Sequence, residues 1–368
     1  MPEVDRSLPS LGRYQAHLEA AADWLVQSER PTGGSAAYFS PLRGWSRAYP
    51  ETTGYSIPTL LAMAGRVPAP VEATALRFGE WLLKIQNADG SWNAGLHPGA
   101  SRGTGSVFNT GQVLKGMVAL WKHSHDSRWL DAATCGAEWL RAGMGPSGLW
   151  DRMDYRSDRT PSYYTHVLWP MLEVATIRDD PKLRDAARQG LNAIVARRRS
   201  NGVIAGWAFE PGAPAFTHTI AYTLRGIQES ARLLAAHDEY DDVVMAALDV
   251  LSRRSELAGG RLPGAFDDDW RPVGRYICLT GSAQVAICLL IAEARRPDLR
   301  LVSAAARLID VVCKSQWRCK WVPGLDGAVG GSSPLWGPYM RLRFPNWAAK
   351  YFCDALMRLD GRVRDELR

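Results

Sequence analysis

The chain has 368 residues, is 46% hydrophobic and 22% charged, and carries a formal net charge of +6. These values are ordinary for a soluble globular protein. Mixed-sign runs such as Arg184-Asp185 with Arg188 read as a solvated face rather than a nucleic-acid patch. No run approaches the ~18 consecutive apolar residues of a membrane span. Met1 to Pro9 carries Glu3 and Asp5 and no apolar signal core, so a cytoplasmic protein is expected, with neither nucleic acid nor a membrane as partner.

Period-3.6 patterning predicts twelve helical segments. In chain order they run 13–28, 52–65, 71–85, 107–123, 127–142, 162–177, 181–198, 216–236, 240–256, 276–294, 299–314 and 345–358. The first of each pair is amphipathic, like the segment carrying Glu72, Arg77, Glu80 and Lys84, and needs one wet face. The second is apolar nearly all round, as from Ser282 to Leu290, and belongs inside. Each second helix opens on a small polar signature. Thr stands at one column in five of them (53, 110, 165, 219 and 280), with Asn346 in the sixth, at spacings of 57, 55, 54, 61 and 66 residues. A repeat of that period signals one helical hairpin used six times. The expected fold is all-α: an (α/α)6 toroid with inner and outer helix rings, in one domain over residues 1–368, with a short tail at 359–368.

Connections from inner to outer helices are short, as at Ser124–Asp126, whereas those from outer to inner are long, as at Glu29–Glu51 and Ser315–Phe344. In an alternating ring all long loops fall on one face, at the inner-helix N-termini, where backbone N–H groups and the helix dipole favour anions. Long loops without helix or strand are usually functional, so the ligand cleft is expected there. The loops share Gly-Trp turns, including Asp89-Gly90-Ser91-Trp92, Gly148-Leu149-Trp150 and Gly206-Trp207. Six cysteines sit mostly in apolar helices with no Cys/His ligand spacing, which reads as packed, reduced thiols and no metal site.

Gln86-x-x-x-Gly90-x-Trp92 matches the Gln-x-x-x-Gly-x-Trp motif of squalene-hopene-type terpene cyclases. A closer resemblance lies in Glu51-Thr-Thr-Gly-Tyr55, Asn109-Thr-Gly-Gln-Val113, Leu279-Thr-Gly-Ser-Ala-Gln284, Gly331-Ser-Ser-Pro-Leu-Trp-Gly-Pro-Tyr339 and Phe344-Pro-Asn-Trp-Ala-Ala-Lys-Tyr-Phe352. Together these resemble the VpsJ-like proteins of bacterial exopolysaccharide gene clusters, over residues 15 to 358. The resemblance implies an α/α toroid related in shape to six-hairpin glycosidases, and hands over no catalytic set.

Glu51 at the first inner-helix start either compensates the helix dipole or serves as an acid or base. His166 and His218 open neighbouring inner helices, with Tyr164 and Tyr222 beside them. They are either buried hydrogen-bonded groups or a pair suited to proton transfer at a sugar carbon. Asp267, Asp268 and Asp269 form the densest carboxylate cluster. Most are read as solvated turn residues, with one, such as Asp268, or Asp89, Asp151 or Asp326 from other loops, reaching the cleft. Tyr55, Asn109, Gln112, Trp92, Trp207, Trp336 and Tyr339 are candidates to line it, aromatic faces stacking on sugar C–H surfaces. Arg275 and Arg341 stand just before inner helices and either bind carboxylate or phosphate or form a solvated rim.

The sequence therefore points to a carbohydrate-active protein acting on a poly- or oligosaccharide or its precursor by side-chain acid/base chemistry, with no cofactor. Hydrolysis, elimination and epimerisation stay open. The alternatives are a non-catalytic glycan-binding or assembly protein and a terpenoid cyclase-like enzyme. The cyclase ranks lower because Phe266 breaks the Asp-x-Asp-Asp proton-donor pattern.

Overall fold

The twelve helices are present in the computed structural model, which describes residues 11–98, 105–150, 160–322 and 324–361. The outer set is α1 (Gln15–Gln27), α3 (Val71–Lys84), α5 (Ser127–Ala142), α7 (Pro181–Val195), α9 (His237–Leu257) and α11 (Leu299–Ser315). The inner set is α2 (Pro50–Met63), α4 (Val107–Ser124), α6 (Thr165–Arg178), α8 (Thr217–Leu233), α10 (Leu279–Arg295) and α12 (Asn346–Leu359). Each inner helix packs on the next, and α12 packs on α2, which closes the ring. The fold is an (α/α)6 toroid.

The amphipathic stripe decides which ring a helix joins. In α3 the buried positions include Val71, Thr74, Ala75, Phe78 and Leu82, one helical face. In α10 nearly every residue is buried. Three short turns end in an aspartate that caps the outer helix: Asp126, Asp180 and Asp298 accept from the backbone N–H groups of Arg128, Leu183 and Arg300. The chain ends close the ring together. Helix α1 packs on α12, Trp24 Nε1 donates to the Gly324 carbonyl at 2.8 Å, and Tyr14 Oη donates to Asp310 Oδ1 at 2.7 Å.

The recurrent Thr has a mechanical task. Thr53 Oγ1 accepts from Ser35 N at 2.9 Å and Thr110 Oγ1 from Trp92 N at 3.0 Å, so each pins its incoming loop to the inner-helix start. In the third repeat that task falls to Thr160, which accepts from Trp150 N at 2.8 Å, while Thr165 donates to the Thr223 carbonyl at 2.9 Å. The glycines of the signature set helix spacing. A Cβ on Gly54 would lie 2.6 Å from Val113 Cα, and one on Gly281 would lie 2.7 Å from His218 N.

The long loops differ from expectation in carrying strands. β1 (Tyr38–Ser40) pairs antiparallel with β2 (Gly44–Trp45) and with β7 (Phe344–Pro345). β3 (Ala215–Phe216) pairs with β4 (Ala265–Phe266), and β5 (Ile277–Cys278) with β6 (Ser332–Ser333). Extended segments crossing one face satisfy each other's backbone groups this way.

Trp92 and Trp207 are corrected from cleft residues to core. Both are fully buried; Trp92 Nε1 donates to the Leu82 carbonyl at 2.8 Å, and Trp207 packs on Trp270 with ring centroids 5.3 Å apart. Trp150 repeats the bond, to the Leu140 carbonyl at 2.8 Å. These indoles fasten the turns to the outer helices. All six cysteines are free; Cys278, Cys288, Cys313 and Cys353 are buried, while Cys135 is exposed. No helix among the described residues is long and apolar enough to cross a membrane.

Candidate functional site

The long-loop end of the axis is filled by aromatic rings rather than open. Phe108 packs on Tyr163 and Tyr164 at 5.5 and 5.6 Å, and Phe216 packs on Tyr339 at 5.1 Å. Tyr164 is buried in this plug. Glu51 sits half-buried in the first turn of α2, accepting from Tyr49 Oη at 2.6 Å, and the same hydroxyl lies 3.5 Å from Asn109 Oδ1. Asn109 also donates to the Asn93 carbonyl at 2.9 Å. Arg275 and Arg341 are exposed. Trp336, 67% exposed, lines an open groove with Trp317. Asp268 is exposed, pairs with Arg199 at 2.9 Å, and lines a pocket between two loops rather than the axis. Asp89 caps its own turn through Ser91, and Asp151 lies outside the described residues.

Behind the plug runs a column of titratable rings. Tyr339 stacks on His218 at 5.2 Å, His218 on Tyr222 at 4.3 Å, and Tyr222 on His166 at 4.2 Å. Tyr222 also meets Tyr351 at 5.8 Å, and Tyr351 meets the buried Tyr55 at 6.0 Å. His218 Nδ1 lies 2.8 Å from Gln284 Oε1, so it carries the proton there. Burial pushes the His218 pKa down to about 4, and burial followed by the charge of Lys115 holds His166 well below the ordinary histidine range. Both rings are neutral at pH 7, as a general base must be. Tyr222 is pushed up by burial first, then by Tyr351.

The column ends in a cavity of about 520 Å³, lined by parts of α2, α4, α6, α8 and α12, and open at the short-connection end of the ring. This corrects the expected polarity: among the described residues the axial cavity lies at the opposite end from the long loops, because aromatics at the inner-helix starts, with Tyr339, fill the axis there. His166 and Tyr351 line it; Glu51, His218, Tyr164, Tyr55, Arg275, Arg341 and Tyr339 do not. Lys115 Nζ stands 2.6 Å from His166 Nδ1 and 4.1 Å from the Trp169 ring centroid. The same Nδ1 is 3.0 Å from Gln112 Oε1. A protonated Lys115 requires Nδ1 to accept; a neutral one leaves Nδ1–H to donate toward Gln112. The histidine tautomer is thus tied to the charge on Lys115, which burial, then Lys350 and Arg225, push well below the usual lysine range. Lys115, Arg225, Lys350 and Trp169 are site residues that patterning missed.

The histidines make stability acid-sensitive. The folded pKa of His218 lies below its unfolded value near 6.5, so its contribution is full above 6.5 and is lost as pH falls through about 4. The gap corresponds to about 3 kcal/mol by pH 4. Urea denaturation at pH 7 and pH 4 should therefore show His218→Asn losing about 3 kcal/mol less over that interval than the parent. Equal losses would mean that the His218 ring charges freely in the fold.

No family model matches the sequence, and no curated protein matches it. Among solved structures the chain is similar to an unsaturated glucuronyl hydrolase specific for heparin, at 16% identity and a TM-score of 0.75, covering 96% of this chain and 98% of that one. It is similar to the cellobiose 2-epimerase of Spirochaeta thermophila DSM 6192, at 16% identity and a TM-score of 0.74, covering 97% and 98%. A D-mannose isomerase gives 12% and 0.73, covering 96% and 99%. The chain therefore shares the six-hairpin toroid of carbohydrate-processing enzymes. Identities this low establish the fold alone.

Proposed function

We propose that this protein is a carbohydrate-active enzyme that moves a proton at a sugar ring, and that His166 is its base. The observation that carries the reading is the neutral His166 on the wall of the axial cavity, held by Lys115 at 2.6 Å. A positioned neutral imidazole can take a proton from a sugar C–H or hydroxyl; with Lys115 neutral, Nδ1–H donates to Gln112 and Nε2 is the free base. His218 and Tyr222 then act behind His166 as positioning groups. The neighbouring hydrolase, epimerase and isomerase support the substrate class. The VpsJ-like motifs support a place in exopolysaccharide metabolism, on a poly- or oligosaccharide or its precursor. A terpenoid cyclase fits poorly, since Arg225 and Lys350 would repel a carbocation.

The test is proton NMR in D2O with the full chain and a panel of neutral and uronic-acid sugars. Loss of a ring C–H signal marks epimerisation or isomerisation, a vinylic signal marks elimination, and new anomeric signals mark hydrolysis. Silence across the panel would overturn the enzyme reading. A non-catalytic glycan-binding protein is favoured by one observation, the exposed Trp336 beside Trp317; it predicts glycan affinity that falls with Trp336→Ala and no turnover at all.

A further inference from the structure

The Lys and Arg side chains on the cavity wall fall into two groups. Lys122 and Arg358 lie in the last turns of α4 and α12, where a positive charge offsets the helix dipole. Lys115, Arg225 and Lys350 lie mid-helix, where that explanation fails, because the dipole effect fades within a turn. All three are buried. Burying a cation is costly unless it is paired. Lys350 has Asp354 at 2.6 Å, and Arg225 has Glu229 at 3.1 Å through Nε. Lys115 has no carboxylate within ion-pair distance among the described residues; its neighbours are His166 and the Trp169 ring. Donors are also left over. Only one N–H position of Arg225 has a hydrogen-bond partner among the described residues, and a neutral Lys115 whose lone pair faces His166 keeps two N–H groups to donate.

We infer that the floor of this cavity is a seat for an anionic group, a carboxylate or a phosphate, carried by the ligand and held by the cations Arg225 and Lys350 with the neutral amine of Lys115 as a further donor. The inference rests on the reading that this cavity is the site. Arg225 offers its terminal fork, which suits planar or tetrahedral oxyanions. Lys350 adds a point charge, and Lys115 adds N–H donors. Trp169, with Lys115 at 4.1 Å and Arg225 at 5.2 Å from its ring centroid, supplies an apolar wall beside both. The ligand's anion would take up the N–H groups that the protein leaves without partners.

The experiment is calorimetric titration of the full chain with glucuronate, inorganic phosphate and glucose at one ionic strength. At least one anion should bind ten-fold or more tightly than glucose. Glucuronate winning identifies a uronic-acid ligand, and phosphate winning a phosphorylated one. Lys115→Met, which keeps the apolar stem, should weaken the anion by ten-fold or more with no fall in melting temperature. If that variant does not fold, Arg225→Lys, which keeps a cation facing Glu229 but removes the fork, should show the same weakening. Glucose binding as tightly as either anion, no binding of any of the three, or unchanged anion affinity in the folded variant would overturn the seat. Turnover of neutral sugars without anion preference would sink this inference and leave the enzyme reading standing; anion binding without turnover on any sugar would do the reverse.

Discussion

Replacing His166 by Asn should cut turnover of the sugar substrate about 10²-fold or more, the usual scale for a positioned base, while leaving the fold intact. Asn keeps a polar group where Nδ1 stands and can accept from Lys115, so the buried contact at 2.6 Å is not orphaned. What is lost is the only ring nitrogen of the column that borders the cavity. The melting temperature should stay within a few degrees of the parent. In the parent, kcat/KM should be flat above pH 6.5 and fall as pH drops through the depressed His166 pKa, since only the neutral ring accepts a proton. His218→Asn should do much less, under about ten-fold, because the Tyr222 ring stands between His218 and His166 at 4.3 and 4.2 Å. A folded His166→Asn protein with full activity would remove His166 from the mechanism. A larger loss in His218→Asn would move the reacting centre toward the long-loop end.

The architecture was legible because toroid helices obey simple patterns. An amphipathic stripe such as Val71, Thr74, Ala75, Phe78 and Leu82 can only face inward, and a helix like α10 can only be enclosed. The six-fold column was legible too, though its physical content differs from a ligand site: Thr53 and Thr110 hold loops, and Gly54 lets α2 and α4 touch. The cavity end was not legible. Loop length places the loops on one face but does not say whether aromatics fill the axis beneath them, and here Phe108, Tyr163, Phe216 and Tyr339 do. A usable signal was present in the inner helices. Lys115 interrupts an apolar run, and Lys350 with Asp354 and Arg225 with Glu229 stand four residues apart inside helices that should carry no charge. Charge on a helix that must be buried is the mark of a lined cavity. Asp268 failed for the opposite reason: a dense acidic turn between Gly-Trp loops is satisfied by solvent, Arg199 and its own backbone.

The two kinds of loop tryptophan should separate cleanly in stability. Trp92→Ala should destabilise the protein by about 3–5 kcal/mol, the range for deleting a buried aromatic. The indole is fully buried between α3, α4 and α5. Its Nε1 bond to the Leu82 carbonyl at 2.8 Å fixes the end of an outer helix, and its backbone N–H is held by Thr110 at 3.0 Å. Ala removes the filling and leaves that carbonyl without its donor, so the turn loses its anchor to both rings. Trp336→Ala should change stability by no more than about 0.5 kcal/mol, as for other surface positions, because two-thirds of that side chain already meets water. Urea midpoints for the two variants, measured beside the parent at pH 7, decide the matter. Equal midpoints would mean that Trp92 does not fasten its turn to the helices. A large loss in Trp336→Ala would mean that the exposed indole is covered in solution, which would also remove it as a stacking surface for glycan.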